Sequence, residues 1–205
     1  MCAGLVAAEG PALTLHARSV AAGVSTGPMT IELLRWSTDA ERAPMIAALS
    51  APVAPPAAPA AAAPGRGAGR AGGRGAARGG RGAAAPPLSP TARLDAAIKA
   101  APTYGYVWGE GVTGYSIKYA WRSPSPNGGD RIVLVIARRL GASSLQAPTP
   151  AAAEDGDFTI IEMTLDGKGN GDAKASDANV VVDSAANTLA LDGRATAPIL
   201  LKVTR

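Results

Sequence analysis

One cysteine, one histidine and eight aromatic residues are a small endowment for a chain of 205, and each shortage excludes something. Cys2 alone allows neither an intrachain disulfide nor a cysteine-based metal cluster. With His16 alone, any Ser–His–Asp apparatus has to use a residue in an ordinary alternating strand, with no nucleophile motif around it. One Phe, three Trp and four Tyr leave few large side chains for an interior, and the 47% hydrophobic content is rich in alanine. No apolar run approaches the roughly 18 residues that a spanning helix needs. Acidic residues number 16, but nothing in their spacing selects two as a general acid and base. No motif carries a mechanism, so the chain reads as non-catalytic, without cofactor or metal.

Basic charge is also scarcer than the net +4 suggests. Arg66, Arg70, Arg74, Arg78 and Arg81 lie together in a stretch without a carboxylate, and removing them leaves the rest of the chain nearly neutral. These five are the candidate polyanion contact, by phosphate neutralisation. The stretch lacks interleaved Phe or Tyr that would add stacking, so a low-complexity insertion is the plainer reading. Residues 51–88 as a whole are rich in Pro and Ala, then in Gly, Arg and Ala. Such a segment cannot recover its ordering entropy by burial and is expected to be a disordered linker.

The first eight residues are similar to the end of a secretory signal peptide, with Val6 and Ala8 at the small-residue positions of a cleavage site before Glu9. The basic and most of the apolar part of such a leader are missing. A secreted or periplasmic location is the expectation, with 1–8 a remnant of the leader. Cys2 has no apolar residues before it to make a lipobox.

What is present is alternation. Leu13, Leu15 and Ala17 alternate with Thr14, His16 and Arg18, which places His16 on a polar strand face. Met29, Ile31 and Leu33 form a second strand that runs into a helix start. There Thr38 stands three residues before Glu41, the spacing of a capping box, and Trp36 can cover the corner between strand and helix. Pro44 predicts a kink, or a helix restarting at that residue. Ser89-Pro90 opens a second helix that Pro102 ends, and the two helices are expected to pair.

Tyr104, Tyr106 and Trp108 fall on one face of a strand, and Tyr115, Ile117, Tyr119 and Trp121 on one face of the next, with a reversal at Gly109-Glu110-Gly111. Ile132–Ile136 is apolar on both faces and predicts a central strand covered on each side. Phe158–Leu165 and Asp172–Ser176 form a hairpin, and residues 180–182, 188–191 and 199–203 are expected to complete the sheet. The result is an α+β chain: a mostly antiparallel sheet or open barrel of about eight short strands with two helices, interrupted by the insertion. Residues 9–50 supply its first part and 89–205 the remainder.

Several stretches together resemble a widespread bacterial family of predicted secreted single-domain proteins with no assigned function. They are Ile31-Glu32 with Arg35–Arg42, Asp130–Val133, Phe158–Gly167 and Pro198–Val203, the Trp36–Arg42 segment being the most specific. The resemblance implies a signal-peptide-bearing single domain and supplies no catalytic residues. The Arg-Gly insertion and Pro44 depart from its pattern.

Two features invite a chemical reading. The Asp166–Asp172 segment is similar to a calcium loop with Asp177 at the twelfth position. Lys168 stands where an oxygen ligand is required and the flanks read as strands, so a hairpin turn is favoured. Tyr104, Tyr106, Trp108, Tyr115, Tyr119 and Trp121 are the candidate ligand-stacking surface, for sugars or bases. In a chain so poor in Phe, the same residues are expected to build the core instead.

Overall fold

The computed structural model describes residues 11–20, 27–52, 88–109, 114–125, 128–140, 157–177, 180–192 and 198–205. Residues 1–8, the bulk of the 51–88 segment with its five arginines, and the expected strand reversal at 110–113 lie outside them. Ten strands and two helices are present among the described residues: β1 (Leu13–Ser19), β2 (Met29–Leu33), α1 (Asp39–Ser50), α2 (Pro90–Ala100), β3 (Gly105–Trp108), β4 (Gly114–Pro124), β5 (Asp130–Ile136), β6 (Thr159–Leu165), β7 (Gly171–Ser176), β8 (Val180–Asp183), β9 (Thr188–Leu191) and β10 (Ile199–Thr204). The α+β class is therefore the observed one.

Eight strands close into an antiparallel barrel in the order β1-β10-β7-β6-β5-β4-β3-β2. Closure rests on β10, which pairs with β7 on one side and β1 on the other, bringing Ala17 opposite Val203 and Leu201 opposite Ala173. The expected antiparallel sheet or open barrel of about eight strands is observed as an eight-stranded barrel, and it is closed. A closed barrel has no edge left to extend, so β8 and β9 do not join it. They form a separate two-stranded hairpin instead.

Alternation along the barrel strands divides the apolar residues between two cores. Leu15, Ile31, Leu33, Ile117, Ile132, Leu134, Ile161 and Met163 fill the interior with others of their kind, as side chains do in a barrel of about eight strands. Outside β4–β6, a second cluster of Met45, Leu94, Ile98, Tyr119, Val133, Val135, Phe158, Ile160 and Leu189 joins both helices and the β8–β9 hairpin to the barrel wall. The two-sided apolar strand at 132–136 is β5, with Ile132, Leu134 and Ile136 inward and Val133 and Val135 outward. Among the described residues, no helix is long and apolar enough to cross a membrane.

Helix starts follow their caps. The Thr38 hydroxyl accepts from the Glu41 N–H, while the Glu41 carboxylate accepts the Thr38 N–H at 2.9 Å. Ser89 accepts from Ala92 N–H, with Pro90 in the first turn. At Pro44 the restart does not occur: α1 runs unbroken from Asp39 to Ser50. Packing supplies a reason, since Met45, directly after the proline, is buried in the outer core with Leu94 and Ile98 of α2. Tertiary burial outweighs one missing intrahelical bond.

Candidate functional site

The stretch from Leu34 to Arg42 is a clasp at one end of the barrel. The N–H groups of Leu34 and Arg35 both donate to the Tyr104 carbonyl. Ser37 then brackets Ala120 of β4: its N–H donates to the Ala120 carbonyl at 2.9 Å, and its hydroxyl accepts the Ala120 N–H at 2.8 Å. These bonds satisfy a length of β4 that the four-residue β3 is too short to pair. The Arg35 guanidinium lies 4.6 Å from the Tyr104 ring centroid and grips Glu41 through both terminal nitrogens, at 2.9 and 2.7 Å. That guanidinium, with the Thr38 N–H, holds the Glu41 carboxyl down to about 2. Arg42 is buried, ion-paired to Asp39, and donates to the Asn187 carbonyl in the β8–β9 turn. Every polar residue of the stretch therefore has a structural partner.

The six aromatics do not form one surface. Tyr104 and Tyr119 are fully buried, in different cores. Tyr104 sits within the interior cluster, its hydroxyl without a well-formed hydrogen bond among the described residues, and burial raises its phenol above the usual range. Tyr119 lies outside the wall, its hydroxyl bonded to Thr188 Oγ1 at 2.6 Å and accepting from Leu189 N–H. The expectation of a single face along β4 fails at Lys118. Ile117 is opposite Ile136, but Tyr119 is opposite Val135, so one residue is bulged out. Tyr115 and Ile117 therefore belong to the interior set, while Tyr119 and Trp121 belong to the outer one. Lys118 is anchored by the Ala101 carbonyl and Thr103 Oγ1. Trp121 lies under Arg131, which bridges Glu162 and Asp183, both at 2.8 Å, and so ties the hairpin to the wall.

Only Tyr106 and Trp108 remain side by side on an open face. Among the described residues no helix lies on the outer sides of β1, β2 and β3, and their register aligns Thr14, Glu32 and Tyr106 in one row and His16, Thr30 and Trp108 in the next. The two rings are 5.8 Å apart between centroids and tilted by 40°. Trp108 lies across Gly114 of β4, so close that a Cβ there would meet its six-membered ring at 2.9 Å. Its indole N–H donates to Glu32 Oε2 at 3.0 Å. The indole is therefore fixed in place before any ligand arrives, with a carboxylate at its edge. His16 bonds Thr30 Oγ1 at 3.3 Å in the same strip, a solvated strand residue as its alternation implies. The part played by Glu32 could not be read from the chain, because only the β2–β3 pairing brings it to Trp108.

At the clasped end of the barrel a cleft of about 120 Å³ opens beside Trp36, Arg122, Asp130, Asp166 and Arg205. Trp36 packs against the interior cluster at this mouth. The Asp166–Asp172 segment forms the β6–β7 hairpin turn: Asp166 Oδ1 accepts the N–H groups of Lys168 and Asn170, and Gly169 has a φ of 84°. Those bonds hold the Asp166 carboxyl below its usual range. Among the described residues, no group of three or more His, Cys, Asp or Glu is placed to hold a metal ion.

No family model, curated protein or solved structure matches the chain.

Proposed function

We propose that this is a non-catalytic, exported binding domain that takes a glycan on the Tyr106–Trp108 strip. The observation that carries the reading is the fixed indole of Trp108, held by Glu32 beside Tyr106 on an uncovered sheet face. Sugar rings present C–H faces that pack on aromatic rings and hydroxyls that donate to carboxylates, so the two side-chain types together suit a carbohydrate. Nucleobases also stack on such rings. Glu32 sets its negative charge where a phosphate backbone would run, which favours the sugar. The packed interior argues against a ligand held inside the barrel. The small residues Val6 and Ala8 before Glu9, the pattern of a leader cleavage site, support export, where polysaccharides are met.

Affinity electrophoresis of the full chain through gels containing neutral soluble polysaccharides tests the reading, with single-stranded DNA as the competing ligand. Retardation by at least one polysaccharide, lost in Trp108→Ala and weakened in Glu32→Gln, is the expected result. Retardation by DNA alone, surviving in Trp108→Ala, refutes the assignment and returns the arginine segment as the contact.

A further inference from the structure

The mouth cleft is lined by two arginines and two aspartates whose hydrogen-bonding capacity is only partly used. Asp130 is engaged by Arg122 Nε at 2.8 Å, and Asp166 is occupied by the N–H groups of its own turn. Each aspartate uses only Oδ1 in these bonds, so its Oδ2 stays open and its negative charge remains at the rim beside the two arginines. Arg122 uses only Nε in that bond, which leaves its two terminal nitrogens, while its guanidinium stands 5.9 Å from the Trp36 ring centroid. Arg205 has no ion pair among the described residues; its stem runs against Gly169, whose positive φ carries the turn beneath it. Two guanidinium groups with free donors thus line the same small cleft as one indole, over an apolar floor of Leu13, Ile132 and Leu165.

We infer that this cleft binds the carboxylate of an acidic sugar, with Arg122 and Arg205 as the anion clamp and Trp36 packing on the sugar ring. Guanidinium forks pair with carboxylates through two parallel bonds, and such charge-assisted bonds are the strong ones. A cleft of about 120 Å³ accepts the carboxylate and part of the ring that bears it, leaving the rest of a chain in solvent. The inference extends the glycan reading to uronic acids but occupies different residues. The cleft is also formed by strand ends and turns, while the strip is a sheet face, so each site can fail without the other.

The test is an NMR titration of the full chain, following the Trp36 and Trp108 indole N–H signals separately. Glucuronate is the probe, with glucose and acetate as controls. Glucuronate is expected to shift the Trp36 signal, with glucose and acetate at least about tenfold weaker. Arg205→Gln, an exposed strand-end change that leaves the fold intact, is expected to weaken glucuronate about tenfold or more, the loss of one charge-assisted bond. Arg122→Gln gives a second reading on the same clamp. Equal shifts from acetate would overturn the sugar assignment, and unchanged glucuronate binding in both variants would overturn the clamp. A Trp108 signal that responds to neutral polysaccharide while Trp36 ignores glucuronate removes this inference and leaves the strip standing.

Discussion

Two buried tyrosines with opposite hydrogen-bond circumstances make the sharpest test of the packing described above. Tyr104 is fully buried and its hydroxyl has no well-formed hydrogen bond among the described residues, so Tyr104→Phe removes a polar group that was desolvated without compensation. An unsatisfied buried hydroxyl costs about 1–3 kcal/mol. The void left by one oxygen, about 15 Å³, returns a penalty of about 0.4 kcal/mol. The ring itself stays, and with it the packing of Arg35 on its face. The net expectation is a gain of about 1 kcal/mol, raising Tm by about 2–4 °C for a chain of this size. Tyr119→Phe should do the reverse. It removes the 2.6 Å bond to Thr188 and the acceptor for Leu189 N–H, leaving fully buried Thr188 short of a partner, at a cost of about 2 kcal/mol. Urea unfolding followed by circular dichroism measures both, with unchanged m-values confirming that the unfolded states match. A Tyr104→Phe protein that loses 1 kcal/mol or more would show that the hydroxyl is satisfied in solution, and the account of the clasped barrel end would be wrong.

Three further outcomes follow from named contacts. A Cβ on Gly105 would stand 2.2 Å from the Glu32 carbonyl oxygen, so Gly105→Ala should cost about 3 kcal/mol or prevent folding; a melting temperature near wild type would mean β2 and β3 are further apart. Thr38→Ala should lose about 1 kcal/mol through the α1 cap, and Thr38→Ser much less, in the same unfolding assay. The Arg131 guanidinium holds the Asp183 carboxyl below its usual range, so this pair contributes stability above the unfolded carboxylate pKa of about 3.9 and loses it as pH falls through the lower folded value. Asp183→Asn should therefore flatten the acid limb of the stability profile, and an unaltered acid limb would show that the ion pair does not hold the hairpin.

Local signals alone settled the elements. The capping box at Thr38 and Glu41, the Ser89-Pro90 start and the Asp166–Asp172 turn depend on neighbours within a few residues, and each formed as its spacing dictates. The two-sided apolar pattern of β5 likewise announced a strand covered on both faces, because alternation reports burial directly. What happened at Pro44 was not legible, since the continuity of α1 comes with a Met45 contact to residues nearly fifty positions away.

Closure, faces and sites were decided by tertiary structure. Whether β8–β9 or β10 completes the sheet depends on which strand can meet β1, a pairing between chain segments far apart that no local pattern encodes. The bulge at Lys118 divided the aromatics of β4, and a period-two reading cannot foresee a one-residue slip because every residue beyond it changes face. That slip buried Tyr119 in the outer core, while the β2–β3 register set Tyr106 and Trp108 on the outer face. Glu32 reached Trp108, Arg122 reached Trp36, and Arg205 came to the same cleft, through strand register and the convergence of strand ends. Residue types and their periods were written in the chain; which of them meet was set by the barrel, because contacts across a closed sheet are long-range by construction.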